Sequence, residues 1–298
     1  MKKFLTIIVV VLLLFLLCGL TTFYQADGYA DSYYLKVTTP KQSSLILGTS
    51  KAAQGIQPQA LASVLGDSIY NYSFNIGTSP FGPAYLENVK NKLDDSSEDG
   101  IFILAVDPWS LSVASAEIKS IEQLRERNSF IARLSNVSSK PNIGYLLNHF
   151  NGSYYGIFSK NSPAKVEDDG WLHVSLDLDE ESVERRREFT LKSYQGYLET
   201  YQLSDLRIEY LKEMIEYLDH YGDVYLVRLP VHPELQILED SLSPAVNDRL
   251  KEAITRSSGY LDFTKRNEDF NYTDGVHLTP ESGELVSREI ALWISELK

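Results

Sequence analysis

Ser44-Leu45-Ile46-Leu47-Gly48-Thr49-Ser50 is a short apolar run closed by a glycine and two hydroxyl residues. A bounded run of this kind reads as a buried parallel strand whose tip opens into a turn. In open α/β sheets ligands collect outside the carboxyl ends of the strands, so a serine at such a tip stands where chemistry can occur. Runs of similar character recur downstream. Residues 69–75 alternate aromatic and polar side chains and end in Ile76-Gly77-Thr78-Ser79-Pro80. Residues 100–106 are almost wholly apolar and end in Asp107-Pro108-Trp109, and residues 224–229 end in Pro230-Val231-His232-Pro233.

Helical patterns separate these runs. Leu61, Val64 and Leu65 share one face of residues 59–65, and residues 84–93 follow the second strand. Ser204 is a natural N-cap for residues 205–220, which carry an apolar stripe of Leu206, Tyr210, Leu211, Met214 and Leu218 and stop at Gly222. A helix over 244–255, a short strand over 260–263, and a last helix over 280–297, with Thr279 as N-cap and Pro280 at its first position, complete the series. Alternating β and α elements predict an α/β fold: a three-layer α/β/α domain over residues 43–298 around a mainly parallel central sheet. The rhythm breaks between about 112 and 200. Helical stretches at 118–134 and 181–198 lie there among turn-rich pieces, which predicts an insertion or lid beside the active edge, with the Glu/Arg-dense stretch 177–187 as a solvated helix face.

The N-terminus has a different character. Met1-Lys2-Lys3 precedes an apolar segment from Phe4 to Leu20, roughly the minimum length for a membrane span. Residues 1–23 are expected to anchor the chain, with a cleaved signal peptide as the competing reading and Gly28-Tyr29-Ala30 as its weak cleavage site. Lysines retained inside put the remainder outside the cytoplasm, in the periplasm or on the cell surface. Residues 24–42, polar and Tyr-rich, read as a tether. Cys18, the single cysteine, lies within the apolar run behind Leu16-Leu17, too bulky for lipoprotein processing, so no disulfide or zinc-thiolate site is expected.

Composition narrows the function. The 298 residues have a net charge of -13, with no basic stripe to neutralise phosphates, which argues against nucleic acid. Nineteen tyrosines and three tryptophans would suit sugar stacking, though aromatics serve mostly as core. A serine hydroxyl is a weak nucleophile without a hydrogen-bonded base, and that base needs a group to fix its tautomer. Asp274-Gly275-Val276-His277 offers a carboxylate and an imidazole three residues apart, just ahead of the last helix. Ser50, His277 and Asp274 are therefore the candidate nucleophile, base and orienter. A metal reading would gather Asp107, His232, Asp274 and His277, but the serine explains the pattern better, and no metal or cofactor is expected. Gly48-Thr49-Ser50-Lys51 lacks the glycine and lysine order of a phosphate loop.

Gly48-Thr49-Ser50 after the first strand, a glycine after the second, and Asp-x-x-His before the last helix, in this order, resemble the SGNH (GDSL-like) hydrolase superfamily, whose fold is flavodoxin-like. Leu-Gly-Thr-Ser, the following Gly-Ile-Gln-Pro, Val-Asp-Pro after strand three and the N-terminal anchor look most like its extracytoplasmic branches, the alginate O-acetyltransferase-like proteins and the membrane-anchored protein of teichoic-acid D-alanylation. The likeness covers residues 43–111 and 204–298. It implies that Ser50 is the nucleophile, His277 the general base and Asp274 its orienter, with the backbone N–H groups of Ser50 and Gly77 forming an oxyanion hole. Two positions depart from the pattern. Thr49 replaces the usual aspartate, and Asp107-Pro108-Trp109 stands where Gly-x-Asn-Asp would supply a third oxyanion donor. Arg228, His232, Asp107 and Trp109 are candidate substrate-binding residues, with an ion pair to Asp107 as the alternative, purely structural role for Arg228. The implied activity is hydrolysis or transfer of an acyl group, acetyl above all, on a cell-envelope or exported polysaccharide. The alternative is a catalytically weak binding or assembly module for a glycan or for a membrane O-acyltransferase partner.

Overall fold

The computed structural model describes residues 1–117 and 120–298. In chain order its elements are α1 (Lys2–Tyr24), β1 (Leu45–Leu47), α2 (Ser50–Gly55), α3 (Pro58–Leu65), β2 (Tyr70–Asn71), α4 (Pro83–Lys92), β3 (Gly100–Ala105) and β4 (Ser112–Ala114). Next come α5 (Ile143–Asn148), α6 (Gly156–Ser159), β5 (Ala164–Val166), β6 (Leu172–Val174), α7 (Glu180–Leu198) and β7 (Tyr201–Leu203). The chain closes with α8 (Asp205–Asp219), β8 (Gly222–Arg228), α9 (Pro233–Leu242), α10 (Val246–Arg256), β9 (Gly259–Asp262) and α11 (Pro280–Leu297).

Five strands form one parallel sheet in the order β2-β1-β3-β8-β9. Both faces are buried, which is why the strands read as continuous apolar runs. Because side chains alternate across a strand, Leu45, Leu47, Phe102, Leu104, Val224 and Leu226 share one hydrophobic cluster, while Ile46, Ile101, Ile103, Tyr225 and Val227 share another. Helices α4, α8 and α10 cover the first face through Val89, Leu211, Ile215 and Leu250. The second is covered by α2, α3 and α11 through Ala52, Leu61, Val286 and Ile290. Strand β2 is shorter than the expected 69–75, yet the chain stays alongside β1: Tyr72 N donates to Ile46 O at 2.8 Å and Phe74 N to Gly48 O at 3.3 Å.

Three expectations need correction. Residues 24–42 are not a free tether. Ala26, Tyr34 and Val37 are fully buried in the first cluster, and Lys36 Nζ reaches under the fold to Ser73 O at 2.6 Å. Polar residues lacking a period concealed this, because the segment packs in turns and one short 3-10 helix at Leu35–Val37 rather than as an α-helix or strand. Residues 118–134 do not form one helix. Single 3-10 turns at 121–123, 125–128 and 130–132 replace it, while residues 118 and 119 lie outside the described residues. Here Glu126 and Phe130 turn inward, Glu126 to pair with the fully buried Arg207. Finally, α9 follows β8 directly, with His232 as N-cap and Pro233 in its first turn. The insertion leaves and re-enters at one place, since β4 pairs antiparallel with β7, and it carries a second small ladder between β5 and β6. Ahead of the domain, α1 is apolar from Phe4 to Leu20 behind Lys2-Lys3, with a mean hydropathy of 3.0 and no buried residue, and is long enough to cross a membrane.

Candidate active site

Only two residues, Gly48 and Thr49, separate β1 from α2, so the chain must turn sharply above the sheet. Gly48 makes that turn at φ +153, where a Cβ would stand 3.0 Å from those of Ala105 and Ala52. Thr49 is extended and Ser50 opens the helix, whose N-terminus has no side-chain cap. At the other end of the chain, Asp274 shapes its own loop. Its Oδ1 accepts the N–H groups of Val276 and His277, both at 2.9 Å, and Gly275 adopts φ +89, where a side chain would press on Leu235. Thr273 N donates to His277 O at 2.8 Å, and Thr279 then caps α11 through Ser282 N.

These two ends meet. His277 Nε2 lies 2.9 Å from Ser50 Oγ, and His277 Nδ1 lies 2.8 Å from Asp274 Oδ2. A carboxylate only accepts, so the proton sits on Nδ1 and leaves Nε2 free to accept from the serine hydroxyl. Burial by itself raises the pKa of Asp274. Attraction to His277 and the hydrogen bonds from its ring, its N–H and that of Val276 outweigh burial and hold the carboxyl down at about 2. The carboxylate therefore stays charged at any physiological pH, as an orienter must.

Gly77 is differently placed from expectation. Its N–H donates to Asn75 Oδ1 at 2.9 Å in a tight Asx turn, so it is engaged within its own loop. Three of the four substrate-binding candidates also lie inside the protein. Asp107 is 4% exposed, with Oδ1 capping the N–H groups of Trp109 and Ser110 at 2.8 and 2.9 Å. Trp109 is buried edge-on against Tyr194, 4.8 Å between centroids, with Tyr197 and Tyr201 around it. Arg228 pairs with Glu239 at 3.3 Å, not with Asp107. Lys51, the residue after the serine, is the partner of Asp107 at 3.6 Å and pairs with Glu239 as well. Polar residues at strand ends signal either a site or a buried ion cluster, and here α9, missing from the expected elements, supplies the carboxylate that makes a cluster.

Arg228 edges a separate cavity with Asp240 and Asn247, and of the four only His232 opens onto the cleft next to the Asp274–His277 loop. His232 lines this cleft, of about 820 Å³, together with Arg187, Tyr272, Gly275 and Thr279. The cleft adjoins the loop of Asp274 and His277, and α7 forms its opposite wall through Val183, Glu184 and Arg187. Arg187 bonds His232 Nε2 at 2.8 Å and Glu234 at 3.2 Å, while Arg186 Nε donates to Thr273 O at 2.8 Å. Burial first and the Arg187 charge second lower the pKa of His232. The stretch read as a solvated face thus clamps the histidine loop. Three consecutive arginines, at roughly 100° per residue, cannot all point one way, and that was the available signal. Among the described residues, no three His, Cys, Asp or Glu side chains come together as a metal site.

Compared with protein-family models the sequence matches none, and it matches no curated protein.

Proposed function

We propose that the protein is a serine-dependent acyl-ester hydrolase or O-acyltransferase of the SGNH type, with acetyl as the acyl group and a cell-envelope or exported polysaccharide as substrate. The reading rests on one observation, the Ser50–His277–Asp274 relay with distances of 2.9 and 2.8 Å. Helices on both faces of the parallel sheet support a three-layer α/β/α architecture of this kind. The apolar α1 supports a retained anchor with the domain outside the cytoplasm. Ala30, at the weak cleavage site, is 6% exposed within the fold, which favours retention over removal of a leader.

In the reaction, Ser50 Oγ attacks the ester carbonyl as its proton passes to His277 Nε2, and Asp274 stabilises the imidazolium. The tetrahedral oxyanion is met by the Ser50 N–H at the start of α2. His277 then gives the proton to the departing alkoxide, leaving acyl-Ser50. Water or a sugar hydroxyl, deprotonated by His277, takes the acyl group in the second half. The cleft lined by Tyr272, Gly275 and Thr279, which flank the Asp274 and His277 positions, is the candidate seat for the glycan, with His232 and Arg187 as polar contacts.

A second reading has its own support. Gly77 N–H is engaged, and no side-chain amide follows β3, so the oxyanion hole is sparse. Losing one donor can cost about 10²–10³ in rate. This favours a weakly catalytic module that holds a glycan or a membrane O-acyltransferase. Hydrolysis of an activated acetyl ester by the full chain in detergent separates the two. The enzyme reading expects turnover that Ser50→Ala abolishes, and equal slow rates in both proteins would leave the binding module.

A further inference from the structure

Residues 127–166 contain Arg127, Arg133, Lys140, Lys160 and Lys165, and all 41 acidic residues of the chain lie elsewhere. In a protein of net charge -13 this is a local reversal of sign. It coincides with an apolar surface. Leu147 is 63% exposed, Tyr155 76% and Phe158 57%, with Tyr154 and Ile143 also open to solvent. Buried Tyr145, Leu146 and Ile157 hold the same segment onto the core, so these side chains belong to the outer surface of a packed element. Single exposed hydrophobics are unremarkable in any protein, whereas a basic segment presenting several large ones together is the composition of a membrane-contact surface.

Its location identifies the occupant. The surface is continuous with the end of α1: the ring of Tyr154 lies 5.8 Å from that of Phe23 and stacks on Phe150 at 5.0 Å. Lys140 Nζ sits over the Tyr24 ring at 5.9 Å, and Lys160 pairs with Asp27 at 3.1 Å. Phe23 and Tyr24 close the apolar helix as an interfacial aromatic pair would, and side chains touching them stand at the same depth. We propose that the surface of residues 133–160 rests on the anionic phospholipid bilayer that α1 enters, with Leu147, Tyr155 and Phe158 in the interfacial layer and Arg133 and Lys140 facing lipid phosphates. This rests on reading α1 as a retained membrane span. A domain held at two points keeps a fixed orientation to the bilayer, as the buried residues 26–37 already require by leaving no slack between helix and core.

The native Cys18 lets one experiment judge the span and the surface separately. Full-length protein in phosphatidylcholine/phosphatidylglycerol vesicles is labelled with bimane at Cys18, or in a Cys18→Ser background at Phe158→Cys or Leu292→Cys. Leu292 is exposed on α11, across the sheet from the proposed surface. Nitroxide lipids are the quenchers. The expected result is strong quenching of Cys18 by deep nitroxides, and quenching of the Phe158 probe by shallow nitroxides exceeding that at Leu292 by about threefold or more, weaker in pure phosphatidylcholine. Cys18 quenched with equal, slight quenching at 158 and 292 would overturn the surface alone. An unquenched Cys18 would overturn the span and the surface together. A Phe158 probe shielded from water but blind to lipid nitroxides, more so at higher protein-to-lipid ratio, would mean that a second copy covers the surface, and would overturn the proposal.

Discussion

Asp274 holds His277 through three contacts, one to the ring and one each to the N–H groups of Val276 and His277. Asp274→Asn keeps the size but can place an amide N–H against Nδ1, forcing the proton to Nε2 and leaving the serine with no acceptor. The expected loss is about 10³–10⁴ in kcat for an activated acetyl ester with little change in KM, measured by steady-state kinetics. Because folding depresses this carboxyl from its ordinary value near 3.8 to about 2, it stabilises the fold above pH 4 and loses that contribution as pH falls towards 2. One residue on from the serine, Lys51 lies between Asp107 and Glu239 with 6% of its side chain exposed. Lys51→Met leaves two buried carboxylates with Arg228 as their nearest remaining cation. It should destabilise the protein by about 3–5 kcal/mol in denaturant unfolding, whereas Lys51→Met combined with Glu239→Gln should recover part of the loss.

At the scale of elements, the sheet and the two ends of the site were legible in the sequence because each is a local signal. Gly48-Thr49-Ser50 closes an apolar run, and Asp274 to Pro280 spells a turn, a cap and a helix start. What escaped was non-local. Nothing in Asp107-Pro108-Trp109 or Arg228 tells that Lys51 and Glu239 will neutralise them, since those partners come from α2 and α9. Residues 26–37 likewise have no period, yet they fill the core beside β2 and the insertion. Gly28 marks how closely: a Cβ there would stand 2.0 Å from Val166 O on β5. Gly28→Ala should therefore lower the melting temperature by several degrees, as one or two kcal/mol of lost packing would in a domain of this size, while a true tether would tolerate it unchanged.

Over the whole molecule, buried cations set the response to pH. Lys36 and Lys92 are almost wholly enclosed, and burial brings each down to about 7 from 10.5. Between those values the unfolded chain binds more protons than the folded one, so stability rises with pH, by at least about 1 kcal/mol from pH 7 to pH 9. The gain ends near pH 10, where buried tyrosines such as Tyr70 and Tyr85, their pKa values raised by burial, begin to favour the unfolded chain. Chemical denaturation across that range measures the rise, and a flat profile would mean that both lysines keep their protons inside the fold. The chain as a whole joins an apolar helix, a basic apolar surface and a serine relay built from its two ends, and the functional account depends on that relay. Its most direct test is a fluorophosphonate applied to the folded full-length protein, followed by peptide mass mapping. The relay predicts one adduct, on Ser50, lost in His277→Ala; a folded protein that takes up no label at Ser50, or labels equally well without His277, would contradict it.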